Sequence, residues 1–177
     1  TVGDPGTKPW LTTVGASTQN RTFEGSVQLG DGSLYYGASI TAGTEMVPLV
    51  DAADYGNELC NPYQDPIFSG DVTGKIVLCK RGEYARVEKG YAVFLAGGAG
   101  MILYNTSDAQ DLNTDTHWLP ALHINNTDGL AIKAFIAATT DPMGQINGGA
   151  YTEIPAPWMA SFSSRGPNLV AADIIKP

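Results

Sequence analysis

A chain of 177 residues, 43% of them apolar and 16% charged, can hold one good core with appendages and is too apolar to be disordered. Its formal net charge of −8 works against phosphate backbones and anionic membrane surfaces, and Lys75, Lys80, Arg81, Arg86 and Lys89 are interleaved with Glu83 and Glu88 instead of forming a basic patch. Neither nucleic acid nor a membrane is therefore expected as a partner; the longest apolar stretch, residues 91–104, is broken by glycines and shorter than the roughly 20 residues a membrane-spanning helix needs. Thr1 opens the sequence without a charged-then-apolar leader, so any signal peptide is expected to have been removed or to lie outside this sequence.

In chain order, Gly3-Asp4-Pro5-Gly6 is turn chemistry and residues 10–14, Trp-Leu-Thr-Thr-Val, suit a strand. Residues 22–29 and 34–40 flank Gly30-Asp31-Gly32, and Asp-Gly between such runs predicts a hairpin. Residues 47–50 read as a strand. Residues 51–71, with Gly56, Pro62, Pro66 and Gly70, are irregular, a length more easily accepted if a covalent tie holds the loop. Cys60 and Cys79 could supply it. Their separation of 19 excludes a CxxC redox pair, and with His117 and His123 they fit no usual zinc spacing. A disulfide closing about 20 residues would contribute about 3 kcal/mol and imply an oxidising compartment; two buried free thiols are the alternative.

Residues 74–79 form an apolar, β-branched run that ends in the basic turn Lys80-Arg81-Gly82. From Glu83 the period becomes helical, with Val87, Tyr91, Phe94 and Leu95 on an apolar face and Glu83, Arg86, Glu88 and Lys89 on the exposed start. Gly97-Gly98 stops the helix, and residues 101–104 resume a strand, closing a parallel, right-handed βαβ unit. Residues 105–116 carry Asp108, Asp111 and Asp115 in what reads as a solvated loop without EF-hand spacing. Residues 118–124 suit a strand in which His123 packs or hydrogen-bonds. Thr127 or Asp128 is expected to cap a second helix whose buried side is Leu130, Ile132, Phe135 and Ile136, ended by Asp141-Pro142. Residues 144–147 and 151–154 suit two strands separated by Gly148-Gly149. The fold class is α+β: a mixed sheet or partly open barrel with two main helices.

GKIVLCKRG at residues 74–82, the AxxEKGYAVFLAGGAG helix at 85–100, MILYN at 101–105 and LPALHI at 119–124 together resemble the protease-associated (PA) domain inserted in many secreted subtilisin-like serine proteases, over roughly residues 46–146. PWLTTVGAST at 9–18, and APWMASFSSRGPN at 156–168 followed by IIKP, resemble the catalytic-domain segments on either side of that insert. The resemblance implies a catalytic-domain flank at residues 1–45, a PA domain at 46–148 and a second flank at 149–177, with Val14 running near residues 159–162. It also implies an extracellular accessory module near a protease's active-site cleft, controlling the access of large substrates, helping to set specificity or mediating protein contacts. Its partners would be protein or peptide substrates of the parent protease, the remainder of the catalytic domain and possible second copies of the chain in a homodimer. An autonomous protein- or peptide-binding or dimerisation module is the alternative.

No catalytic residue carries over. The family's aspartate, histidine and oxyanion asparagine motifs precede the PWLTTVGAST segment, its serine motif follows IIKP, and none occurs in these 177 residues. GxSxG, HExxH and phosphate-binding-loop patterns are missing too, and Gly98-Ala99-Gly100 follows a helix instead of a strand, so it reads as a cap and turn. No cofactor and no metal are expected, and the chain alone is expected to be inactive. Recognition is left. Tyr35, Tyr36, Tyr63, Phe68, Tyr104 and Trp118 stand in or beside turns, where aromatic rings serve as contact anchors; Tyr63, Phe68, Tyr104 and Trp118 are the candidate substrate or partner contacts. Asn20-Arg21-Thr22, Asn105-Thr106-Ser107 and Asn125-Asn126-Thr127 fit the N-glycosylation acceptor pattern, which matters only in a eukaryotic source.

Overall fold

The computed structural model describes residue 10, residues 14–160 and residues 162–163. By its contacts the chain divides into two units, one of Phe23–Thr152 and one that joins Thr1–Thr22 to Glu153–Pro177.

The larger unit is a seven-stranded mixed sheet closed into a ring. β1 (Arg21–Leu29) pairs antiparallel with β2 (Leu34–Ala38). The turn between them works as Asp-Gly predicts: Gly32 sits at φ +90°, its N–H donates to Leu29 O at 2.9 Å, and Asp31 Oδ1 accepts from Ser33 N at 2.8 Å. β3 (Val47–Asp51), β4 (Ile76–Lys80), β5 (Gly100–Tyr104) and β6 (Ala121–Ile124) lie parallel in that spatial order. β7 (Met143–Glu153) runs antiparallel to β3, and β2 antiparallel to β6, so the order round the ring is β1-β2-β6-β5-β4-β3-β7. Among the described residues closure gives each of the seven strands a neighbour on both sides, which is how a ring avoids free edge strands.

β7 is one strand, not the two expected on either side of Gly148-Gly149. The glycine pair permits close approach instead of breaking the strand. A Cβ on Gly149 would collide with the Ser39 carbonyl oxygen, one on Gly148 would stand 3.0 Å from Gly43 N, and Gly149 N donates to Thr41 O at 3.0 Å.

The parallel strands are buried on both faces, which is why they read as continuous apolar runs. Ile76, Leu78, Ile102 and Tyr104 point to one core with Leu49, Leu122 and Ile132. Their sequence neighbours Val77, Cys79, Met101 and Leu103 point to a second core with Cys60, Phe68, Val72 and Val93. The period of two thus allots alternate residues to two separate cores.

Helix α1 (Arg86–Leu95) begins three residues later than expected and turns a different face inward. Lys89, Gly90, Ala92 and Val93 are buried, whereas Tyr91, Phe94 and Leu95 are 39%, 46% and 53% exposed. Small residues set this orientation: a Cβ on Gly90 would collide with His117 Nδ1, so the helix lies closest where it has least side chain. Glu88 Oε2 accepts from Ala85 N at 3.2 Å, one half of a capping box. At the other end Gly97 adopts φ +77° and Gly98 N donates to Val93 O at 2.9 Å, the left-handed cap expected of Gly97-Gly98.

Helix α2 (Asn126–Ala138) is capped by Asn125, not by Thr127 or Asp128; Asn125 Oδ1 accepts from Asp128 N at 2.7 Å. Gly129 and Ile132 are its buried residues, Phe135 and Ile136 pack partly on the core, and Leu130, expected inside, is 50% exposed.

Residues 51–71 have an internal order that composition does not reveal. Ala52–Tyr55 is a 3-10 helix capped by Asp51, and Gly56 closes it at φ +74°. The buried Asn57 then clamps the chain: its Nδ2 donates to Asn61 O and Ile67 O at 3.0 and 2.8 Å, and its Oδ1 accepts from Asn61 N at 2.7 Å. Cys60 and Cys79 form a disulfide with both residues fully buried and a Cα–Cα distance of 5.7 Å.

In the smaller unit the two flanks run side by side. Ser17 and Met159 form an antiparallel bridge, Thr18 N donates to Trp158 O at 2.8 Å, and Ala160 N donates to Ala16 O at 2.9 Å. Ser163 Oγ accepts from Ala16 N at 3.1 Å. The expected turn at residues 3–6, most of the strand expected at 10–14, and the segments 164–168 and 174–177 lie outside the described residues.

Candidate functional site

The two histidines, the residues with most catalytic scope, are structural. His123 is 4% exposed; its Nδ1 accepts from Asn113 N at 2.9 Å and its Nε2 donates to Asn105 Oδ1 at 2.8 Å, which fixes the tautomer. Asn105 Oδ1 also accepts from Arg81 at 2.9 Å, and its Nδ2 donates to Gln110 O at 2.9 Å. Burial, assisted by the nearby Arg81 and Arg86, pushes His123 down to about 4, against a weaker opposing pull from Asn113 and Asp115. His117 lies against Gly90 with its buried Nδ1 unpartnered, and burial lowers its pKa as well. Among the described residues neither ring has a hydroxyl or thiol as a hydrogen-bond partner. Among the described residues no group of three His, Cys, Asp or Glu side chains is placed to hold a metal ion.

The polar segment 105–116 is pinned, not merely solvated. Asp115 makes a two-point contact with Arg86, and that hydrogen bond holds its carboxyl below the usual range. Asp108 accepts from both the backbone N and the hydroxyl of Thr127 in the first turn of α2.

Two charged side chains hold the loops at the carboxyl ends of the parallel strands. Lys89 is fully buried, donates from Nζ to Leu59 O, and lies 5.4 Å from the centre of the Tyr84 ring; burial pushes its ammonium down to about 8. It was expected on the exposed start of the helix. Lys133 of α2 reaches Asp51 at 3.0 Å and Glu58 at 3.3 Å, and Glu58 in turn reaches Lys80 at 3.3 Å. Burial alone would raise Glu58, but its bonds to Lys80 and Lys133 hold it below its ordinary value.

Of the four proposed contact residues, two are core. Phe68 is 6% and Tyr104 2% exposed, each packed in one of the two clusters, and burial pushes Tyr104 up to about 12. A ring beside a turn in sequence is thus not a ring on the surface. Tyr63 and Trp118 are exposed, at 72% and 58%. Trp118 does not stand alone: its ring centre lies 5.2 Å from that of Tyr91, and Tyr91 stacks on Phe94 at 6.4 Å and 23°. Tyr63 donates from its hydroxyl to Glu88 at 2.8 Å and lies 6.1 Å from Tyr84. The outer side of α1 therefore carries an aromatic surface of Tyr91, Phe94 and Trp118, with Tyr63 against Glu88 nearer its start. Tyr91 and Phe94 were missed because a helical period of large apolar residues reads as core. The clue lay in Gly90 and Ala92, small residues on the side that approaches the sheet.

Elsewhere on this unit a cleft of about 650 Å³ is lined by Pro48, Tyr55, Lys75, Ile136, Pro142 and Met143, with Asp54 and Asp141 among its acidic residues. Lys75 is engaged there, donating to Asp71 O at 2.6 Å and to Tyr55 Oη at 3.2 Å.

The larger unit is thus a closed mixed sheet with α1 between the parallel strands β4 and β5, α2 between β6 and β7, and the segment 105–116 pinned by Arg86 and Thr127. The family model described as the PA domain matches residues 44–132, half of the chain, and the chain belongs to that family. Along its length it is similar to subtilisin-like proteases of Arabidopsis thaliana. It is 44% identical to SBT1.4, with 96% of this chain and 22% of that protein covered. It is 39% identical to SBT5.4 (96% and 23%) and 40% identical to SBT1.2 (97% and 23%). The chain thus spans less than a quarter of the length of these relatives. In fold it resembles an aminopeptidase from Aneurinibacillus sp. strain AM-1, with a TM-score of 0.55 at 21% identity over 79% of this chain and 34% of that one. It also resembles BSAP, a zinc aminopeptidase from Bacillus subtilis, with a TM-score of 0.51 at 20% identity over 77% and 34%. Among the described residues no helix is long and apolar enough to cross a membrane.

Proposed function

We propose that this chain is the PA-domain insert, with its flanking catalytic-domain segments, of a secreted subtilisin-like serine endopeptidase, and that it governs the access of protein substrates without performing hydrolysis itself. The observation that carries this reading is that similarity to the subtilisin-like proteases covers 96% of the chain, flanks included, and does not stop at the family-matched residues 44–132. The pairing of Ser17 with Met159 supports it: two flanks adjacent in space are what an insertion between neighbouring segments of one body requires. By the resemblance we place the insert at residues 46–148 between flanks at 1–45 and 149–177, and the body to be removed in a test is the larger unit that also holds β1 and β2. The contact-based unit Phe23–Thr152 draws β1 and β2 into the same ring.

Steric exclusion and added contact area are the physical means, since a rigid body beside a cleft disfavours substrates that collide with it and favours those that match its surface. The test is to remove residues 23–152 from the parent protease, close the gap with a short glycine linker, and compare kcat/KM for a folded protein substrate and a short peptide. The ratio of the two is expected to move by about tenfold or more. Equal change on both substrates would reject an access role, and labelling of the isolated chain by a serine-reactive phosphonate would reject its inactivity.

One observation favours a second reading, an autonomous protein-binding or dimerising surface: the exposed Tyr91, Phe94 and Trp118 rings lie together on α1 and the neighbouring loop. Light scattering on the fragment separates the dimeric form of this reading from a monomer.

A further inference from the structure

Three triplets of the chain fit the N-glycan acceptor pattern, and the fold treats their asparagines differently. A glycan is a bulky, hydrophilic substituent on Nδ2, so an asparagine that carries one in a folded protein needs open space and an amide that the fold does not use.

Asn105 has neither. It is 0% exposed, at the end of β5, and all its amide functions are engaged: Oδ1 accepts from Arg81 and His123, and Nδ2 donates to Gln110 O. A sugar there would break the contacts that hold the 105–113 segment against His123. Asn125 is half-buried and turns both ends of its amide to one residue, Oδ1 accepting from Asp128 N at 2.7 Å and Nδ2 donating to Asp128 Oδ2 at 2.9 Å. A substituent on that nitrogen competes with the cap of α2.

Asn20 is the opposite case. It is exposed, in a bend just before β1, and its side chain makes no hydrogen bond among the described residues. Its backbone is nonetheless fixed, because its carbonyl oxygen accepts from Ile154 N at 3.1 Å. Arg21, the middle residue of its triplet, is also exposed, and Thr22 supplies the third position.

We infer that Asn20 is the residue of this chain that accepts an N-glycan in a eukaryotic secretory pathway, and that Asn105 and Asn125 remain unmodified in the folded protein; this rests on the reading above that the parent enzyme is secreted. In the transfer, Asn20 Nδ2 forms a bond to C1 of the first sugar of a lipid-pyrophosphate-linked oligosaccharide. The C1–O bond to the pyrophosphate breaks, the lipid pyrophosphate leaves with that electron pair, and one Nδ2 proton passes to a base of the transferase. Because the sugar is added to a chain that has yet to fold, a molecule modified at Asn105 cannot complete its core and is lost from the secreted pool.

The test is to secrete the full-length protein from plant cells behind an added signal leader and release its glycans with a peptide N-glycosidase in heavy-oxygen water. Peptides carrying a labelled aspartate then mark the occupied positions. Label is expected at position 20 and at neither 105 nor 125; Asn20→Gln and Thr22→Val should each remove one glycan's mobility shift from secreted, folded protein. An unlabelled Asn20, or label at 105 or 125 in that protein, overturns the inference. Because the added leader forces passage through the secretory pathway, an unmodified Asn20 counts against the acceptor assignment alone. The access role stands or falls separately, by the deletion of residues 23–152.

Discussion

The parallel strands and helix α1 answer the same demand, burial of apolar surface, in opposite ways. β5 and β6 bury every residue and β4 all but Lys80, so each apolar side chain has a core waiting on one face or the other. α1 has only one sheet to lie on, and it spends that contact on Gly90, Ala92, Val93 and the stem of Lys89 while Tyr91, Phe94 and Leu95 stay out. Two-sided burial makes composition decisive; one-sided burial makes the closeness of approach decisive. A helix that meets a sheet through glycine and alanine leaves its large side chains free for other contacts.

The strand side of this contrast breaks most easily. Ile102 is fully buried in the core that the ring encloses, and Ile102→Ala is expected to cost about 4 kcal/mol, within the 2–5 kcal/mol typical of such truncations, read from the midpoint of urea unfolding at constant slope. A loss below about 1 kcal/mol would mean that the ring interior collapses onto the gap, and that its packing is far looser than the burial implies.

The disulfide is next. Cys60 and Cys79 close a loop with a sequence separation of 19, and replacing both with serine is expected to remove about 3 kcal/mol. Because Asn57 and Lys89 also hold this loop, unfolding with and without reductant sharpens the comparison. A much smaller loss would show that the hydrogen bonds to Asn61, Ile67 and Leu59 order the segment without the covalent tie.

Acid probes the polar side of the same strands. His123 is held neutral in the fold at a pKa of about 4 against about 6.5 in the unfolded chain, so the unfolded state takes up protons first. Its contribution is fully present above pH 6.5 and is lost as pH falls toward 4, about 2 to 3 kcal/mol between pH 7 and pH 4.5. His117, lowered by burial, acts in the same direction. His123→Gln should flatten the stability profile across that window, and an unchanged slope would assign the acid sensitivity to other groups.

Where each residue's own chemistry decides its place, the fold was legible. The Asp-Gly hairpin, the apolar runs of β3 to β5 and the Gly97-Gly98 stop follow from local rules, the Cys60 to Cys79 tie was one of two readings that spacing left open, and the PA-like order of motifs fits a mixed sheet with two helices. What escaped was decided by distant neighbours. Gly148-Gly149 reads as a break until Ser39 and Thr41 are seen to lie against it, and Lys89 reads as exposed until the Leu59 carbonyl is found above it. Tyr104 ends β5 in sequence yet packs against Gly129 of α2, a contact 25 residues away that no period announces. The exposed aromatic surface was half legible: Trp118 was named, but its companions Tyr91 and Phe94 had been assigned to the core.

The smallest expected change in stability tests the helix side. Phe94 and Tyr91 are 46% and 39% exposed, so Phe94→Ser and Tyr91→Ser should each shift the folding free energy by no more than about 1 kcal/mol, far less than Ile102→Ala. Their effect should appear in association instead. Aromatic anchors carry a disproportionate share of binding energy, about 2 kcal/mol each when they seat in a partner, so a surface that contacts substrate or a second copy loses roughly thirtyfold in affinity with one ring. Sedimentation of the double variant and its parent over a concentration series checks self-association, and competition by the isolated chain in cleavage of a protein substrate checks substrate contact. If both are unchanged while Ile102→Ala still unfolds readily, the rings on α1 are bystanders, and control of access would have to come from the bulk of the domain rather than from its aromatic face.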